Sequence, residues 1–364
     1  MKQIVMLQAL CNNERGWAKV MSRFGRVALV QLEGFHFKGH IEIWEGGQCV
    51  HSGMEKQSVR FRRLFHLLDS MLFGLPLSLN TLKRCWPVIK GQHTDVIIAS
   101  ANSMALTALF LRAIGKTRKA VCLVSDYFPP EGKLAVRLYR RISGCLTSWL
   151  AKHADEAWAV SPRIPTTKTN PHNFIVPLYI TNENSPQSPR EEISYIGMPS
   201  PDHGLDVLFD ICRKHGIRLN LIGDSPFLQS IRHLAPADTV FHGMMADQAN
   251  IKAIFARSFC GYAVYRNTSP RNYSFYGIPS KTLNCFANNT PVITTNTAHF
   301  TENISKYGIG RVVEPVPEQI EKAVLDLKAR FSIYYEAINR FRETWNAEVE
   351  KFHRERLTAL LNEE

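Results

Sequence analysis

The chain has 364 residues, 45% of them hydrophobic and 21% charged, as expected for a soluble globular protein long enough for two domains. Its eight cysteines include no C-x-x-C pair, which favours reduced core thiols over disulfides or a zinc site. The N-terminus lacks the pattern of a signal peptide, and no apolar run reaches the length of a membrane span. We therefore expect a cytoplasmic protein.

The net charge of +12 is concentrated in the N-terminal half. Residues 51–152 hold 16 Lys and Arg against 5 Asp and Glu, a net of +11. A face of this charge can meet nucleic acid, anionic lipid or a phosphorylated substrate. The sequence shows no nucleic-acid-binding signature, so nucleic acid is not an expected partner.

An arginine cluster precedes a helical apolar stripe in the segment 59–73. The stripe consists of Phe61, Leu64, Phe65, Leu68, Met71 and Leu72. This composition is that of an interfacial amphipathic helix on an anionic membrane, which would place the protein at the inner membrane face. It is equally that of an ordinary surface helix packed on a sheet, and both interpretations stay open.

Strand-like and helix-like segments alternate along the first half. A first strand at the N-terminus is followed by strands at 95–100, 119–125 and 156–161 and by helices at 105–114 and 133–151. Alternation at this spacing predicts parallel βαβ units, and hence an α/β fold.

A polar, proline-bearing segment at 181–192 is the best linker candidate, and the same alternation restarts after it. The later elements are strands at 193–197, 217–223, 239–243, 258–265 and 291–295, helices at 204–214 and 280–287, and a long amphipathic helix at 332–362. We predict an N-terminal domain at 1–180, a linker at 181–192, a C-terminal domain at 193–340 and a C-terminal helix at 341–364 that packs back on the first domain.

Two strand–loop–helix segments carry the strongest functional signals. In the segment 275–295, FYGIPSKTLNCFANNTPVITT, a breaker precedes a short helix with Lys281 at its mouth, and a buried strand follows. In the segment 195–208, YIGMPSPDHGLDVL, Gly197 ends a strand and a helix opens at Gly204. A helix N-terminus holds anions because its unpaired N–H groups and its dipole point at them.

These segments resemble the donor site of family 4 retaining glycosyltransferases, written G-x-P-x-K-x-x-E-x-x-A-x-G-x-P-V-I and Y-x-G-x(n)-K-G-x-D-x-L. The resemblance extends from Asp95 to the C-terminus and is most specific at 193–314. It implies a GT-B fold, in which two Rossmann-like domains face a cleft and a C-terminal helix crosses back to the first domain. The N-terminal domain would bind the acceptor and the C-terminal domain a nucleotide sugar.

The resemblance also implies the donor-binding and catalytic residues. Donor binding is carried over to Gly197, His203, Gly204, Gly223, Asp224, Gly243, Met244, Pro279 and Asn284. Lys281 would contact the diphosphate, and Arg266 would neutralise it as it leaves. The chain departs from the family in its donor site, because His203 replaces a lysine, Asn284 replaces the second glutamate, and the first glutamate is missing before Gly277. We expect His203 to donate a hydrogen bond and to be charged part of the time near pH 7.

The acceptor side is expected at strand ends in the N-terminal half, where α/β sheets place their sites. Asp126 ends a buried strand and would act as a general base for the acceptor hydroxyl or as a ligand for it. Further acceptor-side candidates are Ser100, Asn102, Ser161 and Arg163. No histidine or aspartate pattern predicts a metal site, so a reaction without metal or other cofactor is expected.

The expected reaction is retaining transfer of a hexose from a nucleotide sugar to a saccharide. The basic N-terminal half favours a lipid-linked saccharide acceptor, in surface-polysaccharide biosynthesis. Two alternatives stay open: a catalytically silent glycosyltransferase-like subunit that binds a partner protein, and a nucleotide-sugar 2-epimerase.

Overall fold

The computed structural model describes residues 2–9, 13–32, 40–54, 82–83, 85–90, 93–100, 102–181, 190–245, 247–267, 269–272, 275–277, 280–296 and 300–362. The chain forms two compact units. Unit 1 comprises Met1–Tyr179 with Ala347–Glu364, and unit 2 comprises Ile180–Asn346. The predicted helix at 59–73 lies outside the described residues, as does most of the predicted linker.

Unit 1 is built on a mainly parallel sheet. Its described strands are β1 (Gln3–Ala9), β2 (Arg26–Leu32), β3 (His40–Glu45), β4 (Gln48–Met54), β5 (Thr94–Ser100), β6 (Thr117–Val124), β7 (Glu156–Ala159) and β8 (Asn173–Ile175). They are ordered β4-β3-β2-β1-β5-β6-β7-β8, and all neighbours are parallel except the pairs β2–β3 and β3–β4. The described helices are α1 (Asn13–Met21), α2 (Asn102–Ala113) and α3 (Leu134–His153).

The antiparallel hairpin β3–β4 was not predicted from the sequence. Its two-residue connection is Gly46-Gly47, and both residues have positive φ, 56° and 85°. Glycine adopts such angles without steric cost, and a pair of them forms the tight turn whose twist matches a hairpin. The Gly-Gly pair was therefore an available signal for this edge of the sheet.

Unit 2 contains a second sheet, parallel throughout. Its described strands are β9 (Glu192–Ile196), β10 (Leu219–Ile222), β11 (Val240–Gly243), β12 (Ser258–Ala263), β13 (Val292–Thr294) and β14 (Gly310–Val312). Their order is β11-β10-β9-β12-β13-β14, the doubly wound order of a dinucleotide-binding fold. Five of these strands were predicted, and each prediction begins and ends within two residues of the observed bounds. The predicted ranges are 193–197, 217–223, 239–243, 258–265 and 291–295.

Helices flank this sheet. They are α4 (Leu205–His215), α5 (Pro226–Ile231), α6 (Gln248–Phe255), α7 (Ser280–Ala287), α8 (Thr301–Tyr307), α9 (Pro317–Ala329) and the first part of α10 (Phe331–Asn362). The core between α4, α9 and the sheet is aliphatic and aromatic, with Phe209, Phe259 and Tyr262 among its largest side chains. Tyr195 belongs to the same core through its ring. None of the described helices combines the length and apolarity that crossing a membrane requires.

Helix α10 belongs to both units, because residues 331–346 fall in unit 2 and the rest in unit 1. In unit 2, Phe341 packs edge-on against Phe286 and Phe300. In unit 1, Arg356 pairs with the buried carboxylate of Glu156, and His353 is enclosed by aromatic rings. Each unit therefore holds its part of the helix by packing and by buried polar contacts.

Candidate active site in unit 2

The candidate site lies where the strand order of unit 2 reverses, between β9 and β12. In open parallel sheets, ligands bind outside the carboxyl ends of the strands at this point, because the loops diverge there and leave a crevice. Gly197 follows β9, Gly223 follows β10 and Tyr265 follows β12. The topology thus brings three sequence-distant loops to one edge of the sheet.

One of the predicted glycines, Gly223, is required by a close approach of the backbone. A Cβ on Gly223 would lie 1.8 Å from the carbonyl oxygen of Gly197, and the φ of Gly223 is +132°. The Gly223 amide also donates to the carbonyl oxygen of Gly243 at 2.7 Å. The ends of β9, β10 and β11 therefore pack backbone against backbone, and this fixes the floor of the candidate site.

Replacing Gly223 with alanine is expected to lower the free energy of unfolding by about 3 kcal/mol, because a carbonyl of the backbone cannot move aside. The matched control is Gly243→Ala, where φ is also positive but a Cβ would meet nothing within 4 Å. That change should cost only about 1 kcal/mol, from backbone strain alone. Urea-unfolding midpoints measure both, and equal losses at the two positions would contradict the close approach.

Lys281 lies at this edge on the first turn of α7, and its side chain is only 7% exposed. Its Nζ lies 4.7 Å from the ring centroid of Tyr195 and 4.6 Å from that of Tyr265. Nζ also donates to Tyr195 Oη at 3.4 Å. The lysine is therefore held between two aromatic rings, an arrangement that favours a cation.

Burial nevertheless dominates the electrostatics of this amine. Removal from water lowers the pKa of Lys281 to about 7, opposed in part by Cys285 and Asp202. Lys281 forms no ion pair with any residue that the structure describes. A buried amine without an anionic partner is costly, and an incoming anion would remove that cost.

His203 joins Lys281, Tyr195 and Tyr265 in one cluster, which we call the lysine cluster. Its imidazole is neutral. The backbone N–H of Ser200 donates to His203 Nδ1 at 3.1 Å, so that nitrogen is an acceptor and the proton lies on Nε2. Tyr195 Oη then donates to the same Nδ1 at 2.9 Å and accepts from Lys281. Burial, with a smaller contribution from Lys281, lowers the pKa of His203 to about 3. The expectation that His203 is charged part of the time near pH 7 is therefore wrong, because the imidazole is buried next to an amine.

A short 3-10 turn, Pro201–His203, connects Gly197 to helix α4 and anchors the loop after β12. Asp202 accepts from the Asn267 backbone at 2.7 Å and from the Asn272 amide at 2.8 Å. Arg266 donates to both carboxylate oxygens of Asp206, at 2.7 and 2.6 Å. The predicted catalytic Arg266 is therefore half-exposed beside the start of α4 and already paired with a carboxylate.

The C-terminal end of α7 is fastened from α10. Arg342 donates to the Phe286 carbonyl at 3.1 Å and to Asn289 Oδ1, and thereby satisfies an end of the helix that lacks partners of its own. Asn284, half-buried on α7, donates to the Ser280 carbonyl at 3.0 Å. These contacts fix the helix on which Lys281 lies.

The remaining donor-side candidates that the structure describes lie in the loops that follow β9, β10 and β11. Gly204 precedes α4 with a φ of +57°, and its carbonyl accepts from Tyr262 Oη at 3.0 Å. Asp224 accepts from Ser225 and Gln229, each at 2.8 Å, and so organises the start of α5. Met244, after β11, is exposed. Pro279 lies outside the described residues.

The acceptor-side candidates are in unit 1, at the carboxyl ends of the neighbouring strands β5, β6 and β7. Ser100 and Ser161 are buried, and Ser161 Oγ accepts from the Arg163 backbone at 3.3 Å. Asp126 lies at the surface, yet the protein groups around it partly desolvate its carboxyl and thereby raise its pKa. Asn102 bonds to Ser143 and Thr147 of α3, which gives it a structural role. Its role toward an acceptor stays a prediction.

Sequence reasoning missed three residues of this site. Neither Tyr195 nor Tyr265 nor Asp202 was singled out as a site residue, although Tyr195 opens the segment that resembles the Y-x-G motif. A tyrosine one residue before a strand end, followed by a glycine, was a weak signal for Tyr195. Nothing in the sequence marks the contact between Lys281 and either ring. Among the described residues, no group of three or more His, Cys, Asp and Glu side chains could hold a metal ion.

No family model and no curated protein matches the chain in sequence. Comparison with solved structures gives matches over the whole chain. Sucrose-phosphate synthase from Thermosynechococcus elongatus is 12% identical with a TM-score of 0.68, covering 99% of this chain and 100% of that chain. The fold is GT-B.

Two other GT-B matches are complexes. One is the Anabaena protein HepE with UDP-glucose, at a TM-score of 0.64 and 12% identity, covering 99% of this chain and 100% of that chain. The other is an E. coli trehalose-6-phosphate protein bound with UDP-2-fluoro glucose. It matches at a TM-score of 0.67 and 12% identity, covering all of both chains. The predicted fold class is thereby confirmed.

Proposed function

We propose that this GT-B protein is a glycosyltransferase that binds a nucleotide sugar in unit 2. The observation that carries the proposal is Lys281, a buried amine that lies at the switch point of a doubly wound sheet and forms no ion pair with the described residues. A diphosphate is the anion that this position fits best, because α4 and α7 both begin at the same edge and the glycines let a ligand approach the backbone.

The proposed reaction uses the cationic and hydrogen-bonding side chains of this site. Breaking a glycosyl–phosphate bond develops negative charge on the leaving diphosphate, and donors fixed in a dry site stabilise that charge without reorganising. In our proposal Lys281 supplies the charge and His203 a neutral hydrogen bond through Nε2. Arg266 exchanges its ion pair with Asp206 for the leaving group.

We propose retaining transfer of a hexose without a metal ion. The proton of the acceptor hydroxyl passes either to the leaving diphosphate on the same face of the sugar, with Asp126 as a ligand of the acceptor, or to Asp126 as the general base. The matching complexes with UDP-glucose and UDP-2-fluoro glucose support a nucleotide sugar as donor and make uridine the first nucleoside to test.

For the acceptor, we propose a lipid-linked saccharide at the inner membrane face, in surface-polysaccharide biosynthesis. The basic N-terminal half supports this choice. A silent subunit is the second candidate, because Asn284 replaces a glutamate of the family that the chain resembles. The intact lysine cluster favours the enzyme over that alternative, and a 2-epimerase would need more acidic groups around the sugar than the described part of unit 2 provides.

A thermal-shift panel with UDP, GDP, ADP, TDP and CMP tests the proposal. We expect one nucleoside diphosphate to raise the melting temperature by several degrees, since a ligand that binds only the folded state stabilises it by mass action. The sugar ester of that diphosphate is then tested for transfer, with release of the diphosphate as the readout. No shift with any of the five would contradict the proposal, and a shift without transfer to any saccharide would favour the silent subunit.

A further inference from the structure

Helix α3 of unit 1 presents an apolar face to solvent. Leu134 is 71% exposed, Leu138 56%, Ile142 39% and Trp149 50%. Leu134, Leu138 and Ile142 are spaced four residues apart, so they form one line along the helix, and Trp149 continues it at seven residues from Ile142. A contiguous exposed apolar surface of this kind marks a contact with a protein or a membrane.

Helix α3 buries the apolar residues Leu150 and Ala151 near its C-terminal end, but the same inner side is polar one to two turns earlier. Its polar residues Ser143 and Thr147 face the protein, where Asn102 of α2 donates to Ser143 Oγ at 3.1 Å and accepts from Thr147 Oγ1 at 2.6 Å. An amphipathic helix normally buries its apolar stripe and exposes its polar face. Because the polar side of α3 is engaged with α2, the apolar line on the other side is directed outward.

The exposed face is bordered mainly by positive charge, although the exposed Glu131 lies three residues before Leu134. Residues 132–153 contain five Lys or Arg and no Asp or Glu. The basic residues are Lys133, Arg137, Arg140, Arg141 and Lys152. Next to the helix, Phe128 is exposed, and the Arg140 guanidinium lies 5.7 Å from its ring centroid. The aromatic and basic surface therefore extends beyond the helix itself.

We propose that this face of α3, formed by Leu134, Leu138, Ile142 and Trp149 with its flanking arginines, binds the surface of an anionic lipid bilayer. Apolar side chains would enter the boundary between headgroups and acyl chains, while arginines reach back to lipid phosphates. Tryptophan is favoured at that depth because its ring is apolar and its N–H is polar. Charge complementarity favours lipid, since five Lys or Arg outnumber the single acidic residue in 131–153 and an anionic bilayer offers a continuous negative surface.

The inference does not depend on the glycosyltransferase proposal, because it rests on unit 1 and on none of the donor-site residues. It also differs from the predicted membrane helix at 59–73. If both proposals hold, the lipid surface would bring unit 1 to the place where a lipid-linked acceptor is found.

Cosedimentation with vesicles tests the proposal. We expect the chain to pellet with vesicles of phosphatidylcholine and phosphatidylglycerol and to stay in solution with phosphatidylcholine alone. The double variant L138E/I142E should bind the anionic vesicles at least about tenfold more weakly, because it loses two inserted side chains and adds repulsive charge. The control L325E/I333E changes the same number of exposed aliphatic residues, by the same charge, on helices of unit 2.

A second variant, R137Q/R141Q, separates charge from folding, since it alters only exposed positions and should weaken binding to anionic vesicles without lowering the melting temperature. Failure of the wild type to bind anionic vesicles would overturn the proposal, as would equal binding by L138E/I142E and L325E/I333E. Vesicle-free association of the wild type that is lost in L138E/I142E would instead assign the face to a protein contact. The nucleotide shift of L138E/I142E should equal that of the wild type, so the two proposals fail separately.

Discussion

Replacing Lys281 with methionine is expected to weaken nucleotide binding and to make the protein more stable. A charge-assisted contact with a phosphate contributes about 1.5–3 kcal/mol, so affinity should fall by about 10- to 100-fold. Methionine keeps the packing between Tyr195 and Tyr265 but has no amine to desolvate. The free energy of unfolding should therefore rise by on the order of 2 kcal/mol at neutral pH.

The gain in stability should depend on pH in a defined direction. The pKa of Lys281 is about 7 in the folded chain against an ordinary value of 10.5. Between these values the unfolded chain holds a proton that the folded chain does not, so the stability of the wild type rises with pH across this range. The advantage of Lys281→Met should be largest at pH 7 and below and should shrink toward pH 10. Urea-unfolding midpoints at a series of pH values measure it.

The matched control is Lys322→Met, at an exposed lysine on α9 of the same unit. This change should leave nucleotide binding and its pH dependence unaltered. A Lys281→Met protein that is less stable than the wild type, with unchanged nucleotide affinity, would show that the lysine is a structural residue. Loss of both stability and affinity would mean that the amine contributes to the fold.

Donor binding by the wild type should also take up a proton. An anion next to Lys281 raises its pKa, so affinity should fall above pH 7, by up to about tenfold per pH unit. UDP-glucose is a suitable probe because its diphosphate is esterified at both ends and does not titrate near neutrality. Calorimetry in two buffers of different ionisation enthalpy measures the proton, and an equal heat in both buffers would contradict the linkage.

The elements around the site were predictable because their boundaries are set locally. The Gly and Pro residues before α7 and Asn288-Asn289 after it fixed that helix, and alternating apolar runs fixed β9 to β13. The doubly wound order then follows from short right-handed connections. Two Rossmann-like domains could accordingly be predicted from the spacing of strands, and the GT-B fold from the resemblance of two motifs to a known family.

The chemistry of the site was less predictable, because it depends on contacts across long stretches of chain. Lys281 could be placed near an anion, but its position between Tyr195 and Tyr265 arises only when β9, β12 and α7 meet. The same packing makes His203 neutral, whereas the sequence suggested a partly charged residue. The outward-facing side of α3 could not be predicted either, since its apolar spacing alone favours an ordinary buried stripe.

Substitution of His353 is expected to protect unit 1 against acid. His353 lies on α10, is fully buried, and packs against Trp17 and Trp158 with ring centroids 5.8 and 5.7 Å away. Among the described residues, neither ring nitrogen has a hydrogen-bond partner. Burial among these rings lowers the pKa of His353 to about 3, from an ordinary value of 6.5.

The direction of the pH effect follows from these two values. Between pH 6.5 and 3 the unfolded chain protonates this histidine and the folded chain does not, so stability is lost as the pH falls through that range. At pH 5 the loss from this one group should be about 2 kcal/mol. His353→Leu removes the titration and two unsatisfied nitrogens. It should be as stable as the wild type or more so at pH 7, with an advantage that grows by about 2 kcal/mol at pH 5.

Urea unfolding at pH 7 and pH 5 measures the difference, and His172→Leu, at an exposed histidine of the same unit, controls for loss of an imidazole. Parallel pH profiles for wild type and His353→Leu would contradict the burial of an uncharged ring. Because His353 attaches the last turns of α10 to unit 1, the acid-induced loss should appear first as proteolytic cleavage near residue 347 in the wild type. That cleavage should be slower in His353→Leu at the same pH, which would connect the titration of one buried ring to the attachment of the C-terminal helix.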